Sequence, residues 1–217
     1  MTSRPSVSGR RQAVSAVVVA ASLLLITACN GGGSSPGGPP ATESLSASAA
    51  PTPSATPSPS ASYKPADASG KAQNVPVPVL PEAAKAETKE GLEAFARYWF
   101  AQLNFAYETG QFSGLNSVTT LACEFCSNIT RSLATSYEAE RWLAGGHIET
   151  PSISTNYAPQ TDGQYQVIVQ VQQARISYFG PGGAEFRAPT PPSDTGNVML
   201  AAFTDGRWQL TGLHPIR

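Results

Sequence analysis

Two cysteines, Cys123 and Cys126, stand three positions apart in the stretch TTLACEFCSNIT, where a helix is expected to begin. This spacing occurs in dithiol redox catalysts, in one half of a zinc site and in disulfides that hold a turn. A zinc site needs two further ligands, and the two histidines, His147 and His214, form no second closely spaced pair. A thioredoxin-like catalyst needs a preceding strand and a parallel sheet, and neither is evident. The pattern therefore favours a structural disulfide, with a thiol oxidoreductase as an alternative.

The first 28 residues have the parts of a bacterial export signal, in which arginines precede an apolar run at 13–28. The run is shorter than the roughly 20 apolar residues that span a bilayer. Its ending, Ile-Thr-Ala-Cys, resembles the bacterial lipobox, in which the cysteine is joined to diacylglycerol. The resemblance implies that residues 1–28 are a lipoprotein signal peptide and that Cys29 becomes the lipidated first residue, anchored to the outer face of the plasma membrane. General secretion is favoured over twin-arginine export.

With Cys29 lipidated, Cys123 and Cys126 are an even pair outside the membrane, where disulfides persist. Residues 29–78 are predicted to be a disordered linker, because glycine, serine, proline and alanine dominate them and leave little to bury. Residues 79–217 have the length of a single domain. Basic residues do not cluster along this part of the sequence, so a nucleic-acid partner, which needs a basic footprint, is not expected.

The domain is predicted to open with a long amphipathic helix over residues 81–110, because apolar residues recur there at helical spacing. These residues are Leu92, Phe95, Ala96, Trp99, Leu103, Ala106 and Tyr107. A short helix or turn follows in QFSGLNSVTT. A second main helix is predicted over residues 124–143 and is expected to end at Gly145-Gly146. Its inward-facing residues are expected to be Ile129, Leu133 and Tyr137.

Beyond Gly146 the apolar pattern changes to the period of two that is typical of strands. One strand is predicted over residues 148–157, with Pro151 at an edge or bulge. Alternation of apolar and polar residues in 164–179 indicates an antiparallel sheet with one face exposed to solvent. The segments 180–183 and 189–196 are interpreted as turns or loops. Asp205-Gly206 lies between two apolar runs and predicts a hairpin. The fold class is therefore α+β, with helices packed against a curved antiparallel sheet.

This order of elements, with a last strand that contains Gly-Arg-Trp, resembles the nuclear-transport-factor-2-like cone fold. In that fold a bent sheet wraps the long first helix and can enclose a pocket. Some enzymes with the fold use an aspartate or histidine in the pocket with tyrosines opposite. The resemblance makes Tyr98, Trp99, Tyr107 and His147 the candidate pocket residues of this chain.

A second resemblance rests on the stretches PEAAK at 81–85 and TKEG at 88–91, on the pairs AF, YW, LN and AY that follow them, and on CEFC at 123–126. These stretches resemble the actinobacterial lipoprotein family catalogued as domain of unknown function 6318. Members are similar to this chain in having a lipobox, a low-complexity stalk and a small domain with Cys-x-x-Cys. The resemblance implies the architecture and no activity.

Two functions are consistent with these features, and neither requires a cofactor or a metal. The favoured hypothesis is a non-enzymatic surface lipoprotein whose domain binds a ligand or protein partner in the cell envelope. The alternative is a small envelope enzyme that uses the cone's pocket. An interior filled by Phe95, Trp99 and Val169 would favour the binding module, whereas a deep pocket around a titratable group would favour the enzyme.

Overall fold

The computed structural model describes residues 62–216, in which helices precede antiparallel strands. The predicted signal peptide, Cys29 and most of the predicted linker lie outside these residues. The helices are α1 (Lys89–Thr109), α2 (Ser113–Ser117) and α3 (Glu124–Tyr137), with short 3₁₀ helices at Glu82–Lys85 and Pro181–Gly183. The strands are β1 (Trp142–Gly145), β2 (Ile148–Glu149), β3 (Ile153–Ser154), β4 (Tyr165–Gln173), β5 (Ile176–Phe179), β6 (Glu185–Thr190), β7 (Ser193–Thr204) and β8 (Arg207–Pro215). The predicted mixed α+β class is confirmed.

Helix α1 begins later than predicted, because the chain leaves helical geometry between the first 3₁₀ helix and Thr88. The Thr88 hydroxyl oxygen accepts a hydrogen bond from the Gly91 amide at 3.0 Å and caps the helix start. Gly110 ends the helix in the left-handed conformation, with φ 70°. The apolar stripe is buried from Leu92 to Ala106, as the spacing predicts.

Helix α3 is shorter than predicted, and the prediction that it continues to Leu143 is wrong. It ends at Tyr137, and Ala139 and Glu140 both have positive φ angles, which turn the chain out of the helix. Residues 142–145 then form β1, which pairs antiparallel with β5. This pairing, which local sequence does not reveal, competes with helix formation at the same residues.

The strands form two antiparallel sheets. The larger has the order β2-β4-β7-β8, with β3 also paired to β4, and the smaller has the order β1-β5-β6. The single strand predicted at 148–157 is instead the two short strands β2 and β3, which lie on either side of Pro151. The predicted loop at 189–196 is also wrong for most of its length. Pro189 is tolerated because β6 is hydrogen-bonded only to β5, and the start of β7 is paired with the end of β4.

The core lies between α1 and the larger sheet. Trp208 on β8 packs against Phe95 with ring centroids 6.5 Å apart, and its indole nitrogen donates to the carbonyl of Ala86 at 3.0 Å. Val167 and Val169 on β4 are fully buried, while Ile168 between them faces outward. These contacts fix α1 against the sheet, and so fix the elements that carry the candidate site.

Residues 62–78, which the composition assigns to the linker, pack on the domain. Lys64 pairs with Gln73 in an antiparallel bridge. The Trp142 indole nitrogen donates to the carbonyl of Asp67 at 2.8 Å, and the Tyr63 hydroxyl donates to Glu108 at 2.8 Å. Hydrogen bonds rather than apolar burial hold this segment, which explains why its composition resembles that of a linker. The ordered chain therefore begins before the predicted boundary at residue 79.

Candidate functional site

Cys123 and Cys126 form a disulfide at the start of α3. Cys123 is the N-cap residue of the helix, and its sulfur accepts a hydrogen bond from the Cys126 amide at 3.3 Å. The two residues are only 1% and 4% exposed. Because thiol–disulfide exchange needs a sulfur that an attacking thiolate can reach, this burial favours a clip on the first turn of α3 over a redox centre.

Of the four candidate pocket residues, the two on the middle of α1 are engaged in packing. Trp99 is fully buried, and its indole nitrogen donates to the Thr119 hydroxyl at 2.9 Å. The Tyr98 hydroxyl accepts from the Gln102 side-chain amide at 2.7 Å. Trp99 therefore helps to attach α1 to the chain that follows α2, whereas the Tyr98 hydrogen bond joins two residues of α1 itself.

The other two candidates lie in separate depressions. Tyr107 lines a small depression between α1, α3 and β5. Burial raises the pKa of its hydroxyl, and a hydrogen bond with the Gln173 side chain, which lowers the pKa, offsets this only in part. His147 is exposed and lies in a second depression that also contains Glu149 and Asp194. The structure therefore does not bring the four residues into one pocket.

Side chains pack closely between α1 and the larger sheet. Phe95, Trp99 and Val169 are 1%, 0% and 0% exposed and belong to a continuous apolar core. These three side chains are therefore not exposed to a ligand.

Tyr137 at the end of α3 joins that helix to α1. Its hydroxyl donates to the carbonyl of Tyr107, and its ring lies against Gly110. Burial raises the pKa of the Tyr137 hydroxyl, because ionisation would place a charge in a poorly solvated site. This contact fixes the orientation of α3, which forms one wall of the surface depressions.

Three of those depressions adjoin α3. One lies beside the disulfide, has a volume of about 450 Å³ and is lined in part by Gln164, Thr211 and His214. The second is the depression around Tyr107, of about 260 Å³. We name the third the arginine groove. It has a volume of about 410 Å³ and is lined by Asn128, Arg131, Ser132, Thr135, Ser136, Arg141, Phe186 and Arg187.

The sequence contains no local signal for the arginine groove. Arg131 is on α3, Arg141 precedes β1 and Arg187 is on β6, so the three are distant along the chain. They become neighbours only because β1, β5 and β6 form a sheet beside α3. A search for basic clusters along the sequence therefore misses them.

Two further properties concern residues 62–216 alone. Among them, no group of three or more histidine, cysteine, aspartate or glutamate side chains is arranged to hold a metal ion. No helix formed by these residues combines the length and the apolar character needed to cross a bilayer.

Comparison with known proteins places the domain in a family. The family model described as "Family of unknown function (DUF6318)" matches residues 61–214, and the chain therefore belongs to this family. The match begins before residue 79, in agreement with the ordered segment at 62–78. No curated protein matches the chain.

Some solved structures show a distant likeness. The intermembrane space region of chloroplast protein ARC6 has 11% identity over 59% of this chain and 96% of its own length, with a TM-score of 0.43. Aln2 from a Streptomyces species has 10% identity over 58% and 90%, with a TM-score of 0.38. A periplasmic fragment of TraM has 12% identity over 58% and 96%, with a TM-score of 0.32. Likeness at this level carries no argument about function.

Proposed function

We propose that this member of the DUF6318 family is a lipid-anchored protein of the outer face of a bacterial plasma membrane, and that its domain is a non-enzymatic module that binds a ligand or a protein partner in the cell envelope. The observation that carries the second part is the filled interior. Phe95, Trp99 and Val169 are buried in a continuous apolar core, and the depressions at α3 are open to solvent.

The anchor is supported by the sequence Ile-Thr-Ala-Cys at 26–29, behind a basic start and a short apolar run. A diacylglyceryl group on Cys29 supplies two acyl chains, which is the minimum for stable attachment to a bilayer. In this arrangement residues 1–28 are removed during export. The residues between Cys29 and the ordered segment at 62 then act as a spacer between bilayer and domain.

The anchor is tested by labelling cells with a palmitate analogue. We expect label on the wild-type protein and on a Cys123→Ser/Cys126→Ser variant, and no label on Cys29→Ser, which should also leave the membrane fraction. The double variant is the matched control, because it removes the same type of residue from the domain. Label that persists on Cys29→Ser would refute the anchor.

We also propose that the domain has the cone architecture that its element order suggests. Only two residues, Ala174 and Arg175, separate β4 in the larger sheet from β5 in the smaller one. The chain therefore passes directly from one sheet to the other, as it does in a strongly bent sheet. Contacts of α1 with both β1 and β3 support a helix held by both sheets.

The binding function is tested by photo-crosslinking in intact cells. A photo-reactive residue is placed at Thr135 in the arginine groove, and a control is placed at the exposed Lys71, outside the lining of the three depressions at α3. We expect a discrete crosslinked species from Thr135 alone. The same products from both positions, or none from any surface position, would count against a binding module.

A further inference from the structure

The arginine groove concentrates positive charge in a domain whose net charge is negative. Acidic side chains outnumber basic ones in residues 62–216, yet three of the six arginines there line this one groove. Within the same residues the single salt bridge joins Lys85 to Glu82. No carboxylate of the described chain therefore lies within 4.0 Å of the three guanidinium groups, and none of the residues 62–216 neutralises their charge through a salt bridge.

Arg141 is held in place by groups that leave its charge intact. Its guanidinium carbon lies 4.7 Å from the ring centroid of Phe186, and its Nε donates to the carbonyl of Glu138 at 2.9 Å. An aromatic ring and one carbonyl orient a guanidinium while leaving its other N–H donors free. Arg141 is thus both half-buried and available to an anion.

Arg187 is oriented in a similar way by the neighbouring strand. Its guanidinium carbon lies 4.6 Å from the ring centroid of Tyr178, which is buried on β5 and hydrogen-bonded through its hydroxyl to Thr190 at 2.8 Å. Tyr178 also meets Phe186 edge to face, with centroids 5.9 Å apart. The buried ring of Tyr178 and the more exposed ring of Phe186, which contact each other, therefore each lie against one guanidinium group.

Arg131 completes the groove from the side of α3. Its Nη1 donates to the side-chain oxygen of Asn128 at 3.0 Å, again a neutral partner. The hydroxyl groups of Ser132 and Thr135 line the same wall. Oriented guanidinium groups bind carboxylate and phosphate oxygens through paired hydrogen bonds, and little side-chain entropy is lost when they are already held.

The depression around Tyr107 adjoins the groove and is mainly apolar. It is lined by Ile129, Leu133, Leu143 and Ile176 among others, and it shares Asn128, Ser132 and Ser136 with the groove. These three shared residues are spaced four apart on α3, so they form a single line along which the two depressions meet. A ligand that fills both would need an anionic end and an apolar end.

We propose that the arginine groove binds the carboxylate or phosphate of a small amphiphilic anion whose apolar part enters the adjoining depression. This deepens the proposed binding function by naming its ligand class. The volume of the groove, about 410 Å³, is within the common range of about 300–1,000 Å³ for small-molecule sites. The free acid and the phosphate ester of an alkyl chain share the necessary chemistry.

The test is calorimetric titration of the purified full chain, in neutral detergent, with hexyl phosphate and with hexanoate. Inorganic phosphate and hexanol are the controls for the two halves of the ligand. We expect one ligand per chain, and an affinity at least about tenfold higher for hexyl phosphate than for inorganic phosphate, because burial of the alkyl chain adds to binding. The tighter of the two amphiphiles identifies phosphate or carboxylate as the preferred head group.

Arg131→Gln/Arg187→Gln is the test variant, and Arg97→Gln, an exposed arginine of α1, is its matched control. Loss of two charge-assisted hydrogen-bonding groups should weaken binding at least about tenfold per arginine, and the control should bind as the wild type does. Arg187→Lys keeps the positive charge but loses the paired N–H donors of the guanidinium group, and it should give an intermediate loss of affinity. A melting temperature equal to that of the control establishes that the test variant is folded.

Two results would refute the proposal that the arginine groove is the binding site. One is the absence of binding for both amphiphiles, and the other is equal affinity in the double variant and the wild type. Equal affinity of the wild type for hexyl phosphate and inorganic phosphate would refute the proposal that the ligand has an apolar part. This comparison needs no variant. Crosslinking from Thr135 in cells is read independently. A protein crosslink there without amphiphile binding would leave the binding module standing and reject this ligand.

Discussion

The disulfide at the start of α3 allows a quantitative test of its structural role. The disulfide joins residues with a sequence separation of 3, and the Cys123→Ser/Cys126→Ala variant removes this cross-link. The chain-entropy expression for a loop of this size gives a loss of about 2 kcal/mol in the free energy of unfolding. Serine at the N-cap position keeps an acceptor for the residue 126 amide, so this variant isolates the effect of the cross-link.

The second variant, Cys123→Ala/Cys126→Ala, removes the cap as well. The lost N-cap acceptor should cost about 1 kcal/mol more. For a domain of this length each kcal/mol corresponds to about 2–4 °C in melting temperature, so the first variant should melt about 4–8 °C below the wild type. The free energies are obtained from urea denaturation followed by tryptophan fluorescence, with and without reductant.

Reductant should lower the unfolding midpoint of the wild type and leave both variants unchanged. The reasoning would be refuted by a first variant within about 0.5 kcal/mol of the wild type. A native protein whose disulfide is reduced as readily as that of a catalytic dithiol would refute the assignment of a clip.

The remaining predictions concern packing and ionisation. Gly110→Ala should destabilise the domain by more than about 2 kcal/mol, because φ is 70° and the new Cβ would lie 2.6 Å from Cγ of Tyr137. Gly163→Ala has a similar φ of 79° with nothing within 4 Å, and should cost only about 1 kcal/mol in the same urea experiment. Trp99→Ala should lower the free energy of unfolding by about 3–5 kcal/mol, since the side chain is fully buried. A smaller decrease in the same urea experiment would contradict the core described above. Burial raises the pKa of Tyr137 above the ordinary value of 10.0, so the folded state keeps a proton that the unfolded state loses; stability should be complete below pH 10 and fall above it, with a shallower fall in Tyr137→Phe.

The elements that sequence reasoning predicts well are those with local signals. The stripe on α1 has helical period and ends at a glycine, and the Asp205-Gly206 turn joins two strands of the predicted hairpin. The alternation around Val167 and Val169 also matches the buried face of β4. In each case residues close in the chain carry the whole pattern.

The elements that it misses depend on partners far along the chain. The end of α3 is set by Ala139 and Glu140, whose positive φ angles no residue type there announces, and β1 needs β5 as a partner. The strand content at 189–196 comes from pairing with β5 and with β4, despite a sequence rich in proline. The arginine groove needs three elements at once, so only the tertiary structure assembles it.

The packing of residues 62–78 on the domain bears on how the protein would respond to mechanical load. A pull transmitted along the chain toward residue 62 first meets the bonds from Tyr63 to Glu108 and from Trp142 to Asp67. These few hydrogen bonds should rupture before the apolar contacts of α1, since that core must break cooperatively. In the proposed lipid-anchored protein, residues 62–78 would then detach and lengthen the connection to the bilayer while the rest of the domain stays folded.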